Sequence, residues 1–185
     1  MKIRRKLKGF TLIELLIVLG IIAVISAGMY AVYNNVSLSQ KSSQEINNLN
    51  ILKGGIENLF AASSDYTGLS EGIIAQSSIP TATMMKSTST GSGPTTNAVV
   101  NAWGNSYKIA PDASPANFTI ETDVPKKACE KIVSALAGTW SGIDIDGTSI
   151  KERGQANYNT VTMITTCSGA ANDTVKITVY DNDSK

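Results

Sequence analysis

The chain has 185 residues, 42% of them hydrophobic and 17% charged, and a formal net charge of +1. It contains no histidine, which excludes acid–base catalysis, nucleophile activation and metal ligation by imidazole. Its charge is unevenly placed: Lys2, Arg4, Arg5, Lys6 and Lys8 form a basic cluster, and taking those five from the 16 basic residues leaves 11 against 15 acidic ones. A mildly acidic body does not suit duplex-DNA binding driven by overall charge.

The basic cluster is followed by Gly9-Phe10-Thr11-Leu12-Ile13-Glu14, and then by 18 residues without a charge, Leu15 to Val32. As a helix that run spans about 27 Å, close to the thickness of the bilayer hydrocarbon. The positive-inside rule keeps the basic cluster cytoplasmic and sends the body outward. A secretory signal peptide has a shorter apolar core closed by a small-residue cleavage site. Ile25-Ser26-Ala27 imitates such a site, but the apolar run continues past it. Neither a signal peptide nor a plain signal anchor explains Glu14. A carboxylate at the start of a spanning helix costs on the order of 2–3 kcal/mol, which marks it as functional.

Gly9-Phe10-Thr11-Leu12-Ile13-Glu14-Leu15 resembles the processing site shared by type IV prepilins and type II secretion pseudopilins. The resemblance implies that a prepilin peptidase cuts between Gly9 and Phe10 on the cytoplasmic side and methylates the new amino group of Phe10. A side chain at position 9 would obstruct that cut. The resemblance also gives Glu14 a role. Its carboxylate pairs with the Phe10 ammonium of a neighbouring subunit, so a copy out of register leaves a buried charge unpaired.

No proline precedes Pro80, and the helix is expected to run from Thr11 to Ala62, with Gly54-Gly55 as a place where it bends or loosens. Ile46, Leu49, Leu52, Ile56, Leu59 and Phe60 recur at helical spacing. Gln44, Glu45, Asn47, Asn48, Lys53 and Glu57 fall mostly on other faces. This half should lay its stripe on a globular head. Four segments result: a leader 1–9, an apolar transmembrane and assembly helix 10–35, an amphipathic continuation 36–62 and a head 63–185.

The head is richer in Ser, Thr, Gly and Asn. Strands are expected at Ser106–Ala110, Phe118–Thr122, Ile143–Ile145, Val161–Thr166 and Val175–Tyr180. A second helix is expected at Lys126–Ala137, with Asp123 as its cap, Pro125 in its first turn, Gly138 at its end, and Ala128, Cys129, Ile132, Val133 and Leu136 facing inward. Ser87–Asn97 reads as a flexible loop and Asp144-Ile145-Asp146-Gly147 as a turn, since later calcium-loop ligands are missing. Asp181-Asn182-Asp183 reads as a polar tail. Lys126, Lys127 and Lys131 read as a solvated basic face. Asn117 and Asn172 begin sequons of a kind common by chance. The fold class is α+β: a long N-terminal helix packed on an antiparallel sheet.

Cys129 and Cys167, behind an export segment, read as one structural disulfide. The pair resembles the disulfide that bounds the C-terminal region of type IV pilins. Tyr66-Thr67-Gly68-Leu69 with Ser78-Ile79-Pro80, and Asn101-Ala102-Trp103-Gly104-Asn105, resemble the loop after the first helix and the turn before the first strand of type IVb pilins. The apolar stretch lacks the proline usual in type IVa pilins, whereas the nine-residue leader and Phe10 are usual there, so the subclass stays open.

The resemblance implies a structural, non-enzymatic subunit of an extracellular fibre, with no cofactor. Its implied partners are identical subunits in a helical homopolymer, the prepilin peptidase, an inner-membrane assembly platform, an assembly ATPase and the inner membrane that holds the precursor, with no specific nucleic acid. Three alternatives stand beside it: a type II secretion pseudopilin, a minor pilin, and a monomeric membrane-anchored binding protein or enzyme. The last leaves Gly9, Phe10 and Glu14 unexplained, and no catalytic constellation supports it.

Overall fold

A computed structural model of the chain describes residues 11–88, 96–114 and 116–181. Gly9, Phe10, the basic cluster, the tip of the Ser87–Asn97 segment and residues 182 and 183 of the polar tail lie outside the described residues. The chain divides into two compact units, Met1–Ser37 and Leu38–Lys185.

Helix α1, Leu12–Leu59, runs without a break through both glycines at 54 and 55. Gly55 serves packing: a Cβ there would run into the side chain of Ile79. In the first unit the helix is apolar on every side. In the second, Leu49, Leu52 and Ile56 are fully buried, as their spacing predicts, whereas Leu59 is 49% exposed and Phe60 lies past the helix end against Tyr66. Glu45 and Asn48, expected on polar faces, are buried.

After α1 come a short helix α2, Glu71–Gln76, and a 3-10 turn, Ala82–Met84. Strands β1, Met85–Thr88, and β2, Thr96–Val99, then pair antiparallel, so both flanks of the expected flexible loop are strands. The Asn101–Asn105 turn leads into β3, Lys108–Pro111, the first strand of the main sheet. That sheet is completed by β4 (Phe118–Pro125), β5 (Gly142–Ile145), β6 (Thr148–Lys151) and β7 (Thr174–Tyr180), in the order β3-β4-β7-β5-β6 with every pairing antiparallel. The last strand therefore lies at the centre, buried on alternate residues Val175, Ile177 and Val179. The expected turn at Asp144–Gly147 is real and tighter than read. Asp146 and Gly147, at φ 49° and 80°, are the two central residues of the β5–β6 hairpin, where both must be left-handed.

Helix α3, Lys126–Leu136, buries the five residues expected to face inward. Its cap differs: Pro125 precedes it with no side-chain cap bond, while Asp123 stays in β4 and its carbonyl accepts from the side-chain Nδ2 groups of Asn101 and Asn105. Lys131 is not merely solvated, since Nζ donates to Ser39 and Ser43 of α1.

The expected strand at Val161–Thr166 is overturned. Thr160–Gly169 is a helix, α4, begun by Asn159, whose side chain accepts from the Thr162 amide at 3.0 Å. Alternating Val, Met and Ile among threonines imitates a half-buried strand, but Met163 and Cys167, four residues apart, share the buried face that packs on α3. Thr165 and Ser168 hydroxyls donate back to the carbonyls one turn earlier, which occupies side chains that otherwise favour extended backbone.

Candidate assembly interface

The first unit carries an unpartnered apolar surface. Leu12–Met29 is long and apolar enough to cross a membrane, and none of it is buried within the chain. Its large side chains, from Leu12 at 77% to Val18 at 48%, are exposed around the whole circumference. A helix with no polar face is stable only in lipid or among other helices. Glu14 is exposed in its first turn and is the sole charged residue between Thr11 and Gln40. Its amide donates to the Thr11 carbonyl at 3.1 Å and approaches the Thr11 hydroxyl at 3.4 Å, so Thr-x-x-Glu caps the helix. A carboxylate three residues into a helix also sits in the favourable end of the macrodipole.

In the second unit two devices hold the long helix to the sheet. The first is Glu45, fully buried in α1. Its Oε1 accepts from the hydroxyls of Tyr107 at 2.9 Å and Thr122 at 3.0 Å, and its Oε2 accepts from the Ala102 amide at 3.0 Å. The Asn101 side chain donates to Thr122 Oγ1 and accepts from the Trp103 and Asn105 amides, so the Asn101–Asn105 turn is locked to helix and sheet together. Burial lifts the Glu45 carboxyl above its ordinary value of 4.5, while the three donors pull it back part of the way. Burial, and then the Glu45 charge, push the Tyr107 phenol far up, so it stays a donor. Glu45 was legible in principle: it stands four residues before Leu49 on the stripe that continues to Leu52 and Ile56.

The raised value sets the sign of a pH effect. Between 4.5 and the raised folded value, the native head binds more protons at Glu45 than the unfolded chain does, so this contribution is complete below 4.5 and declines as pH rises through the folded value. Glu45→Gln removes that slope. It also replaces one of the two acceptor oxygens by an NH2 donor, so part of this three-donor site loses its acceptor, at an expected loss of about 1–3 kcal/mol. Thermal unfolding of the full chain in detergent, followed by near-ultraviolet circular dichroism from pH 4 to 8, should show wild type and variant converging in stability as pH rises.

The second device is Lys53, also in α1. Its Nζ lies 3.0 Å from Asp181 Oδ1 just after β7, donates to the Thr139 carbonyl at 2.9 Å, and stands 5.3 Å from the Trp140 ring centroid. Lys151 is buried on the same turn and donates to the carbonyls of Ala137 and Trp140. Burial, and next the charge of Lys53, hold the Lys151 ammonium below its usual value.

Cys129 in α3 and Cys167 in α4 form a disulfide with a Cα–Cα distance of 5.8 Å. Cys167 is within a helix, not after a strand as expected. The bond joins two helices that pack on each other and on the strands of the sheet, and bounds a segment containing β5 and β6. The structure thus brings Cys129 and Cys167 together, and it places Glu14 on the other unit, at the start of the apolar helix.

A disulfide-stapled α+β head continuing from a helix apolar on all sides defines a pilin. Residues 39–180 match the family described as PilS N terminal, and residues 4–30 match the prokaryotic N-terminal methylation motif. The chain belongs to the type IV pilins, within the PilS N-terminal family. It is 28% identical over 147 residues to the major structural subunit of bundle-forming pilus of Escherichia coli O127:H6 (strain E2348/69 / EPEC), covering 76% of this chain and 72% of that one. Two solved folds are alike: a type IV b pilin from Salmonella typhi (TM-score 0.59, 22% identity, 76% of this chain and 99% of that chain) and TcpA, a type IV pilin from Vibrio cholerae El Tor biotype (TM-score 0.53, 13% identity, 77% and 99%).

Proposed function

We propose that the chain is made as an inner-membrane precursor and works as a structural subunit of an extracellular type IV pilus used in adhesion or aggregation. The observation that carries this reading is the helix Leu12–Met29, exposed and apolar on all sides, joined to the methylation motif over residues 4–30. Residues 1–9 are the leader, 10–35 the transmembrane and assembly helix, 36–62 its amphipathic continuation and 63–185 the head. The relative in Escherichia coli being a major structural subunit favours a fibre over a secretion piston.

In this reading a prepilin peptidase removes residues 1–9 and methylates Phe10. The helix spans the inner membrane once with the head outward, because the basic cluster stays cytoplasmic. An assembly platform and its ATPase then move subunits from lipid into a helical homopolymer. Lipid is as apolar as the helix, so hydrophobicity alone does not drive that transfer and packing must be supplemented by a specific polar pair. Glu14 and the Phe10 ammonium of a neighbouring copy supply it.

Processing is tested directly. Mass spectrometry of the mature protein should find an N-methylated Phe10 as the first residue. Gly9→Leu should leave an uncut, membrane-bound precursor. A mature chain beginning after Ala27 would overturn the pilin processing and make the apolar run a signal peptide.

A further inference from the structure

We infer that Lys53 and Asp181 are joined by a side-chain amide that staples the spine helix to the end of the central strand, with Glu57 as the proton carrier. The site belongs to the head and holds whether or not the chain polymerises. Lys53 Nζ lies 3.0 Å from Asp181 Oδ1 and 3.6 Å from Glu57 Oε1, one helical turn on. The Asp181 side chain is 1% exposed and that of Lys53 19%. The wall is aromatic: Trp140 is buried beside Lys53, its ring is 6.2 Å from that of Phe118, and the Asp181 amide donates to the Phe118 carbonyl.

An amine and a carboxylic acid do not condense in water, because both are ionised and water is the competing partner. This site holds the two groups in contact and largely out of water. Holding two reacting groups in contact raises their effective concentration to about 10⁵–10⁸ M. Holding an ammonium and a carboxylate out of water costs free energy that an uncharged amide does not carry. A second ammonium, Lys151, shares the same carbonyl turn, and amide formation removes one of these two like charges along with a buried carboxylate.

The step balances without any other reactant. A proton passes from the Lys53 ammonium to the Asp181 carboxylate. The Nζ lone pair attacks Cγ, and a new Nζ–Cγ bond forms. Glu57 takes the second proton from Nζ and delivers it to the departing hydroxyl. The Cγ–O bond breaks and one water leaves. Nothing is oxidised or reduced. The product carries no charge where an ammonium and a carboxylate stood, and it encloses the whole Cys129–Cys167 segment within a second covalent ring.

The test is intact-mass measurement of the full chain, extracted from membranes in detergent and reduced, with sequencing of the branched peptide. Wild type should be one water lighter than its sequence, cut or uncut at Gly9, so failure of the processing reading does not obscure the result. Lys53→Arg keeps the ion pair and should have full mass. Asp181→Asn should close the same amide by losing ammonia and reach the final mass of the linked wild type. Glu57→Gln should stay mostly at full mass. Wild type at full mass overturns the proposal, as does a water loss that persists in Lys53→Arg, which would place dehydration elsewhere. An amide that forms equally in Glu57→Gln overturns the role of Glu57.

Discussion

Cells carrying Glu14→Val should hold normal or raised amounts of processed pilin in the membrane and shed almost no fibres. Removing the carboxylate makes the helix easier to insert, by about 2–3 kcal/mol, because a charge no longer has to enter the edge of the hydrocarbon. If Glu14 pairs with the Phe10 ammonium of a neighbour as proposed, the same change leaves that ammonium buried in the fibre without a partner. Breaking a buried pair costs on the order of 3–5 kcal/mol, which corresponds to more than a hundredfold in association. The exposed apolar surface from Leu12 to Met29 is unchanged by the substitution, so a nonspecific hydrophobic assembly would survive it. The measurement is the ratio of sheared-fibre yield to pilin in the membrane fraction. Full yield with fibres of normal length would reduce Glu14 to the helix-capping residue seen in the single chain and would leave register to the heads.

Cys129→Ser, or reduction of the wild type, should lower head stability by about 4 kcal/mol on the chain-entropy estimate for residues 38 apart. For a head of this size that is a fall in melting temperature on the order of 10 °C. Both sulfurs are buried between α3 and α4, so the serine hydroxyl also enters an apolar contact beside Ile132 and Met163. Thermal unfolding with and without reductant measures the effect in the wild type, and the variant should lose its sensitivity to reductant. An unchanged midpoint on full reduction would show that helix packing alone holds α4 in place. Subunit abundance in cells should fall with stability, since the unfolded fraction is what proteases remove.

The class of the protein was legible in its first 35 residues, because a basic cluster, a Gly-Phe junction, one carboxylate and a charge-free run are local features whose chemistry does not depend on what packs against them. The inner face of α3 and the stripe Leu49, Leu52, Ile56 were legible for a related reason: burial follows backbone period when a helix has only one side to hide. Central strands β4 and β7 likewise announced themselves by β-branched alternation. The sequence by itself therefore determined the apolar N-terminal helix, its amphipathic continuation, the disulfide residues and the α+β class.

Tertiary structure decided the rest. Val161–Thr166 has strand-like alternation, yet it is helical because Met163 and Cys167 must meet α3 from one side and Asn159 caps the turn. Glu45 has the identity of a surface residue, yet it is buried because Tyr107, Thr122 and the Ala102 amide, all distant in sequence, converge on it. Gly55 looks like a weak point in a helix, yet it is where Ile79 approaches most closely. Lys53 reaches Asp181 only because the last strand is inserted at the centre of the sheet. Apart from the Asn159 cap, the deciding partner in each case lies at least two dozen residues away. Local propensity differs by tenths of a kcal/mol per residue, whereas burying or stranding one polar group shifts the balance by about 1–3 kcal/mol, so the long-range contact wins.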